Sequence, residues 1–270
     1  SEGLVGSEMC IRDSDKDPEC IKYALKNNII NQNIKLNNGN YSKESFKDID
    51  LVVIAASPKQ TLNIFMDLKE IWNTDTTITD TSSVKNHIKL KDVQNIVLSH
   101  PIAGSDKSGI RASENELFFN KKNIICNPFN AHKDHLDKVN NFWMNALQMR
   151  TALMSVSEHD LVFAMTSHLP HLVSYALIDS MRLSNISVED NAGGGLKEFL
   201  RLSGSNSEMW TDIFTINRVD LIKALASMQV SLNNLLELIT EAKQIPDIFS
   251  HKELLKKELD EIKSFKEDKF

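Results

Sequence analysis

The chain has 270 residues, 41% of them hydrophobic and 25% charged, enough for one large or two ordinary globular domains. A net charge of −6 argues against a nucleic-acid partner, which would call for a basic face. No apolar run suggests the roughly 20-residue span of a bilayer, and no secretory signal opens the chain. Three cysteines, Cys10, Cys20 and Cys126, lack metal-ligand spacing and read as reduced thiols of a cytoplasmic protein without a metal site.

In chain order, Ser14-Asp15 reads as the end of a strand, and Pro18 to Lys26 as a helix. Leu51 to Ala56 is a continuous apolar run with a β-branched middle, the mark of a buried parallel strand. Ser57-Pro58 opens a helix to about Glu70, with proline in its first turn. Further strands are expected at Thr76–Thr79, ending at Asp80, at Ile96–Leu98, ending at Ser99-His100, at Asn123–Cys126 and at Arg150–Met154. The stretch from Asp134 to Leu147 has helical spacing. Strands separated by helices imply βαβ units and a mostly parallel sheet.

After Ser155 the strand signal stops. Segments 156–183, 207–242 and 251–266 have helical periodicity, and Ala192 to Gly195 breaks the helices before another begins near Leu196. The expected architecture is an α/β Rossmann-like nucleotide-binding domain over 15–153, incomplete at its N-terminus, plus an all-α domain over 154–270. The apolar helix from Leu221 to Ile239 suggests a homodimer through the helical domain. An acidic residue at the end of the second strand of a dinucleotide fold binds ribose hydroxyls, and Asp15 suits that place. The spacing leaves no room before it for a strand, a glycine-rich turn and a helix, because Gly3-Leu4-Val5-Gly6 is too close. Residues 1–14 therefore read as a non-native leader and the chain as a fragment.

Three segments place polar residues where a core or plain loop does not need them: Asp80 to Lys85, His100 to Gly109, and Ser167-His168-Leu169-Pro170-His171. The first two follow strands, where ligands of open α/β sheets bind. Helix capping by Ser82 or Ser83, and a structural role for His100, are the plain alternatives. His132 and His135, or His168 and His171, lack the further ligands of a metal site. Met209 and Trp210 read as core.

These stretches resemble the prephenate and arogenate dehydrogenases of tyrosine biosynthesis. The motifs DLVVIAASP, TDTSSVK, SHPIAGSDKSG, LFFNKKNIICNP, SEHDLVFAMTSHLPH and AGGGLKEFLRLSGSNSEMWTDIFTINR run in order from about Asp15 to Ile239. The resemblance implies oxidative decarboxylation of prephenate to 4-hydroxyphenylpyruvate, or of arogenate to tyrosine. It makes His100 the base on the ring hydroxyl, and Ser83 the residue that orients His100 and touches substrate and nicotinamide. It makes Arg201 the clamp on the ring carboxylate, and it places His171, Ser105 and Asp106 at the substrate. Asp15, Ser57 and Ser83 are the candidate cofactor residues. Asp15 favours NAD, and Lys16 beside it leaves NADP open. Ser82 stands where the family often has Gly, Asp106 where it usually has Glu, and Glu198 where Asp is common. The alternatives are a non-catalytic dimeric remnant without a working cofactor site, or another two-domain hydroxyacid dehydrogenase.

Overall fold

A computed structural model describes residues 10–34, 41–68, 71, 74–104, 109–184, 188, 191–241 and 248–270. The chain divides into two compact units, Ser1–Asn217 and Arg218–Phe270.

In the first unit, β1 (Arg12–Asp13) pairs in parallel with β2 (Gln32–Asn33) on either side of α1 (Pro18–Lys26). Helix α1 begins there because Asp17 accepts the Glu19 N–H (2.9 Å) and proline occupies the first turn, where no donor is needed. β3 (Leu51–Ile54) pairs in parallel with β4 (Thr77–Asp80), α2 (Pro58–Leu68) crossing between them. A parallel bridge from Ile78 to Ile96 leads to β5 (Leu98–Ile102), which pairs with β6 (Lys122–Cys126). α3 (Lys133–Asn141) and a π-helical turn at Phe142–Ala146 carry the chain to β7 (Arg150–Leu153), parallel to β6.

One expected boundary needs correction. β5 starts at Leu98 and runs through His100 to Ile102, so His100 lies within a strand rather than after it. Strand pairing is mostly parallel, as expected, with one antiparallel pair, β5 with β6. Among the described residues, their connection holds only a short helical turn, Ile110–Ala112, and no helix to return the chain for a parallel pairing.

Alternation along β6 shows that both faces of this sheet are covered. Ile124 belongs to the cluster of Phe65, Leu68, Ile78, Ile96 and Leu98, and Ile125 to the cluster of Val97, Val139, Trp143 and Met149. Each such side chain contributes roughly 1.5–3 kcal/mol through burial. Glycine is scarce, and the left-handed turns fall instead to Asn28, Asp48, Asp92, Asn120 and Asn130, with φ between 51° and 58°.

The helical run of the first unit is α4 (Val156–Phe163), a π-helical turn at Ala164–His168 and α5 (Leu169–Ser184). Ser155 caps α4 by accepting the Glu158 N–H. The wide turn just before Pro170 accommodates a residue that has no N–H to give. These 29 residues, Val156–Ser184, are long and apolar enough by composition to cross a bilayer, which overturns the expectation that no segment is. Within them His159, Asp160 and His168 are buried and hydrogen-bonded. α6 (Gly194–Leu200), a 3-10 turn at Arg201–Gly204 and α7 (Ser207–Ile216) complete the unit, α7 capped by Asn206 on the Met209 N–H (3.0 Å).

The second unit consists of α8 (Arg218–Glu241) and α9 (Ile248–Lys269). On α8, Val219, Ile222, Val230 and Leu236 are more than half exposed.

Candidate active site

Period-two alternation along β5 sends Leu98 and His100 to one face and Ser99 to the other. On its face Ser99 accepts the Trp143 indole N–H (3.0 Å). On the opposite face His100 meets α4, where its ring lies 4.6 Å from that of Phe163. Nδ1 of His100 is 2.8 Å from Nε2 of His159, and Nδ1 of His159 is 2.7 Å from Oδ1 of Asp160. Asp160 also accepts the backbone N–H of Lys85 (2.9 Å) and of Asn86 (2.8 Å).

The loop that supplies those amides is built on Asp80, the last residue of β4. Its carboxylate accepts the N–H of Ser82 (3.0 Å), the N–H of Ser99 (3.1 Å) and the ammonium of Lys85 (2.6 Å). Lys85 Nζ donates as well to the Ser99 carbonyl. Both partners of this ion pair are fully buried. Ser82, where the family often has Gly, makes a turn of its own by donating its hydroxyl to the Val84 carbonyl (3.0 Å).

A second cluster lies on α5 and α7. One Asn217 amide group donates to Nδ1 of His168 (3.0 Å) and to the Asp160 carbonyl (2.9 Å). The His171 ring stacks on Trp210, with centroids 3.6 Å apart and planes 23° apart. Nδ1 of His171 donates to the Ser167 carbonyl (2.9 Å), because a carbonyl only accepts, so Nε2 is a free acceptor when the ring is neutral. The Trp210 indole N–H is buried without a hydrogen-bond partner among the described residues.

The electrostatics keep all four imidazoles uncharged near neutral pH. Burial pushes His100 well below its usual value, helped by His159, Lys85 and His168. Burial lowers His159 too, against the pull of Asp160. His168 is pushed down to about 4, again chiefly by burial. His171 is lowered by burial and, in smaller part, by the Arg201 charge, while its bond to Ser167 works the other way.

The structure therefore brings His100 together with the loop that carries Ser83, and His171 within electrostatic reach of Arg201. Ser83 is half-buried, and its hydroxyl has no hydrogen-bond partner among the described residues. The bond that orients His100 comes from His159 instead. Ser105 and Asp106 lie outside the described residues. Asp15 follows β1, exposed, with one carboxylate oxygen on the Asp17 N–H (2.7 Å). Ser57 sits between β3 and α2. Sequence reasoning missed His159, Asp160 and Asn217 as candidate site residues; its reading of Trp210 as core holds, whereas Met209, read as core too, is exposed. The adjacent His-Asp pair in SEHD, on a helix otherwise apolar, was the available signal.

Two family models match the chain. Residues 6–149 match the nucleotide-binding domain of prephenate dehydrogenase, and residues 155–256 match its dimerization domain. The chain belongs to the prephenate dehydrogenase family. Its fold matches the crystal structure of prephenate dehydrogenase from Aquifex aeolicus, solved with hydroxyphenyl propionate and NAD+, at a TM-score of 0.82 and 30% identity, covering 97% of this chain and 90% of that one. A cyclohexadienyl dehydrogenase of Zymomonas mobilis is 27% identical over 203 residues, 72% of this chain and 69% of that protein. A prephenate dehydrogenase of Bacillus subtilis is 31% identical over 184 residues, 64% of this chain and 49% of that protein, so the match spans about half of the Bacillus relative.

Both matched regions carry residues of the candidate site. The nucleotide-binding region carries Ser83, Lys85 and His100, and the dimerization region carries His159, Asp160, His168, His171, Arg201, Trp210 and Asn217. The donors after β1 and β3 suit a dinucleotide: an exposed carboxylate at Asp15 for ribose hydroxyls, and a hydroxyl at Ser57 where a strand gives way to a helix. The Gly3-Leu4-Val5-Gly6 stretch lies outside the described residues.

Proposed function

We propose that this chain catalyses the NAD-dependent oxidative decarboxylation of prephenate to 4-hydroxyphenylpyruvate in tyrosine biosynthesis. The observation that carries the proposal is His100. It is a neutral imidazole in the middle of strand β5, held through Nδ1, on a chain whose two parts both match prephenate dehydrogenase.

The substrate is a cyclohexadienol with a carboxylate on the ring carbon opposite the hydroxyl. His100 takes the hydroxyl proton as general base, a role for which a neutral imidazole needs no deprotonation. Arg201 holds the ring carboxylate, which a planar guanidinium can grip with two parallel hydrogen bonds. His171 offers Nε2 to the substrate from its place on Trp210. Ser105 and Asp106 are assigned to the substrate, and Ser83 to substrate and nicotinamide, by their positions in the family motifs. Asp15 and Ser57 would hold NAD at its ribose and phosphate side, and when bound it supplies the hydride acceptor. Departure of the carboxylate as CO2 leaves its electron pair in the ring, which becomes aromatic.

The exposed apolar side chains of α8 and the match to a dimerization domain support a homodimer. Steady-state formation of reduced nicotinamide tests the activity, with prephenate and arogenate each paired with NAD and NADP. Turnover of prephenate with NAD is expected, and His100→Asn should lower kcat by about 10²–10⁴-fold with little change in KM. Absence of turnover in all four combinations would overturn the proposal.

A further inference from the structure

We propose that Asp160 and His159 form a relay that fixes the tautomer of His100, so that Nε2 is its one nitrogen able to take a proton. The proposal rests on the reading of His100 as the base, and it adds two positioning residues that act through it.

The chain of inference starts at the carboxylate. Asp160 is fully buried and accepts three hydrogen bonds, from His159 Nδ1, Lys85 N and Asn86 N. Burial alone would raise its pKa, but these donors outweigh burial and hold it below the usual value. An ionised carboxylate can only accept, so the 2.7 Å contact places a proton on Nδ1 of His159. His159 is kept neutral by burial, so its Nε2 carries a lone pair and no proton. That lone pair lies 2.8 Å from Nδ1 of His100, which must therefore be the donor. A neutral imidazole has one N–H. With it committed at Nδ1, Nε2 of His100 is bare.

Packing holds the relay in register. The His100 and His159 rings meet edge to face with centroids 5.0 Å apart, and Phe163 contacts both at 4.6 Å. The Asp160 carbonyl takes a further hydrogen bond from Asn217 (2.9 Å). Through the Lys85 and Asn86 amides, the carboxylate that sets the tautomer also anchors the loop that carries Ser83. During reaction the hydroxyl proton goes to Nε2 of His100, and the proton on Nδ1 stays there. Its bond to His159 strengthens as the ring becomes cationic, and the Asp160 charge offsets the new positive charge. No second proton transfer is required.

Three variants and one spectrum test this. Isotope-labelled histidine NMR of the full chain reads the tautomer of His100 directly, and the parent should show the Nδ1–H form. His159→Phe keeps a ring of similar shape but removes the acceptor. It should release His100 into a mixture containing the Nε2–H form and lower kcat at least about 100-fold, with KM for prephenate changed by less than about threefold. His159→Gln places an amide oxygen near the position of Nε2, and it should keep the Nδ1–H form and a kcat within about tenfold of the parent. The proposal is overturned if His159→Phe leaves His100 in the Nδ1–H form or retains the parent kcat. Should His159→Phe fail to fold, His159→Gln decides: a kcat as low as that of His100→Asn with the Nδ1–H form intact overturns the relay. His100→Asn separates the two levels, because full activity there removes His100 as base whatever the tautomer, whereas loss there with a fully active His159→Phe removes only the relay.

Discussion

The side-chain amide of Asn217 donates to Nδ1 of His168 across 3.0 Å, joining the residue that ends α7 to the π-helical turn before α5. Its other N–H donates to the Asp160 carbonyl (2.9 Å), so one buried side chain ties three segments together. Asn217→Ala would leave the buried Nδ1 of His168 without a donor, and the Asp160 carbonyl with only the Ala164 N–H. At about 1–3 kcal/mol for the abandoned ring nitrogen, unfolding free energy in urea should fall by roughly 1–3 kcal/mol. A loss under about 0.5 kcal/mol would mean that water replaces the amide.

Stability should also fall in mild acid. Burial holds His168 at about 4 in the folded chain against a usual value of 6.5. The unfolded chain therefore binds the proton first as pH drops. The contribution is complete above about pH 6.5 and is lost progressively as pH falls towards about 4, on the order of 3 kcal/mol in all. His100 and His159 are shifted the same way and steepen the loss. His168→Asn, which keeps an acceptor for Asn217 but cannot titrate, should flatten the decline in unfolding free energy between about pH 6.5 and about pH 4. An unchanged slope would show that His168 is not desolvated in solution.

Lys85 and Asp80 form a buried ion pair at 2.6 Å, with neither side chain exposed. Lys85→Met strips Asp80 of its counter-charge, although the Ser82 and Ser99 amides remain on the carboxylate. The single change should cost about 3–5 kcal/mol, and Asp80→Asn a similar amount, while the double variant should cost clearly less than their sum. Urea unfolding of the three variants measures the coupling. Strict additivity would show that the pair makes no joint contribution.

The sequence was legible where one physical signal dominates. The apolar run Leu51 to Ala56, the proline that opens α2 and the strand expected at Asn123–Cys126 each have a single local cause, and they formed as Leu51–Ile54, Pro58–Leu68 and Lys122–Cys126. The antiparallel pairing of β5 with β6 was not legible, because strand direction depends on how the connection folds and not on the alternation of either strand. The histidines at 100 and 171 stood out in polar motifs. His159 and Asp160 did not, because their meaning comes from a contact with His100 across 59 residues that no local pattern encodes. Segment 156–183 was legible as helical, but not as a helix apolar enough by composition to cross a bilayer. Its buried polar groups and Pro170 break the apolar pattern in sequence, and the fold satisfies them internally.

The last prediction concerns Arg201, which is exposed at the start of the turn Arg201–Gly204 and whose charge reaches His171. A residue that only grips the substrate carboxylate should affect binding more than the chemical step. Arg201→Gln should raise KM for prephenate about 10–100-fold, equivalent to about 1.4–2.8 kcal/mol of lost binding, with kcat changed far less. Arg201→Lys should recover only part of this, because an ammonium cannot supply two parallel hydrogen bonds. The same substitution offers an independent check away from turnover. Removing the Arg201 charge removes one influence that lowers His171, so the imidazole of His171 in Arg201→Gln should titrate at higher pH by NMR. If KM is unchanged and the His171 titration does not move, Arg201 is not part of this site.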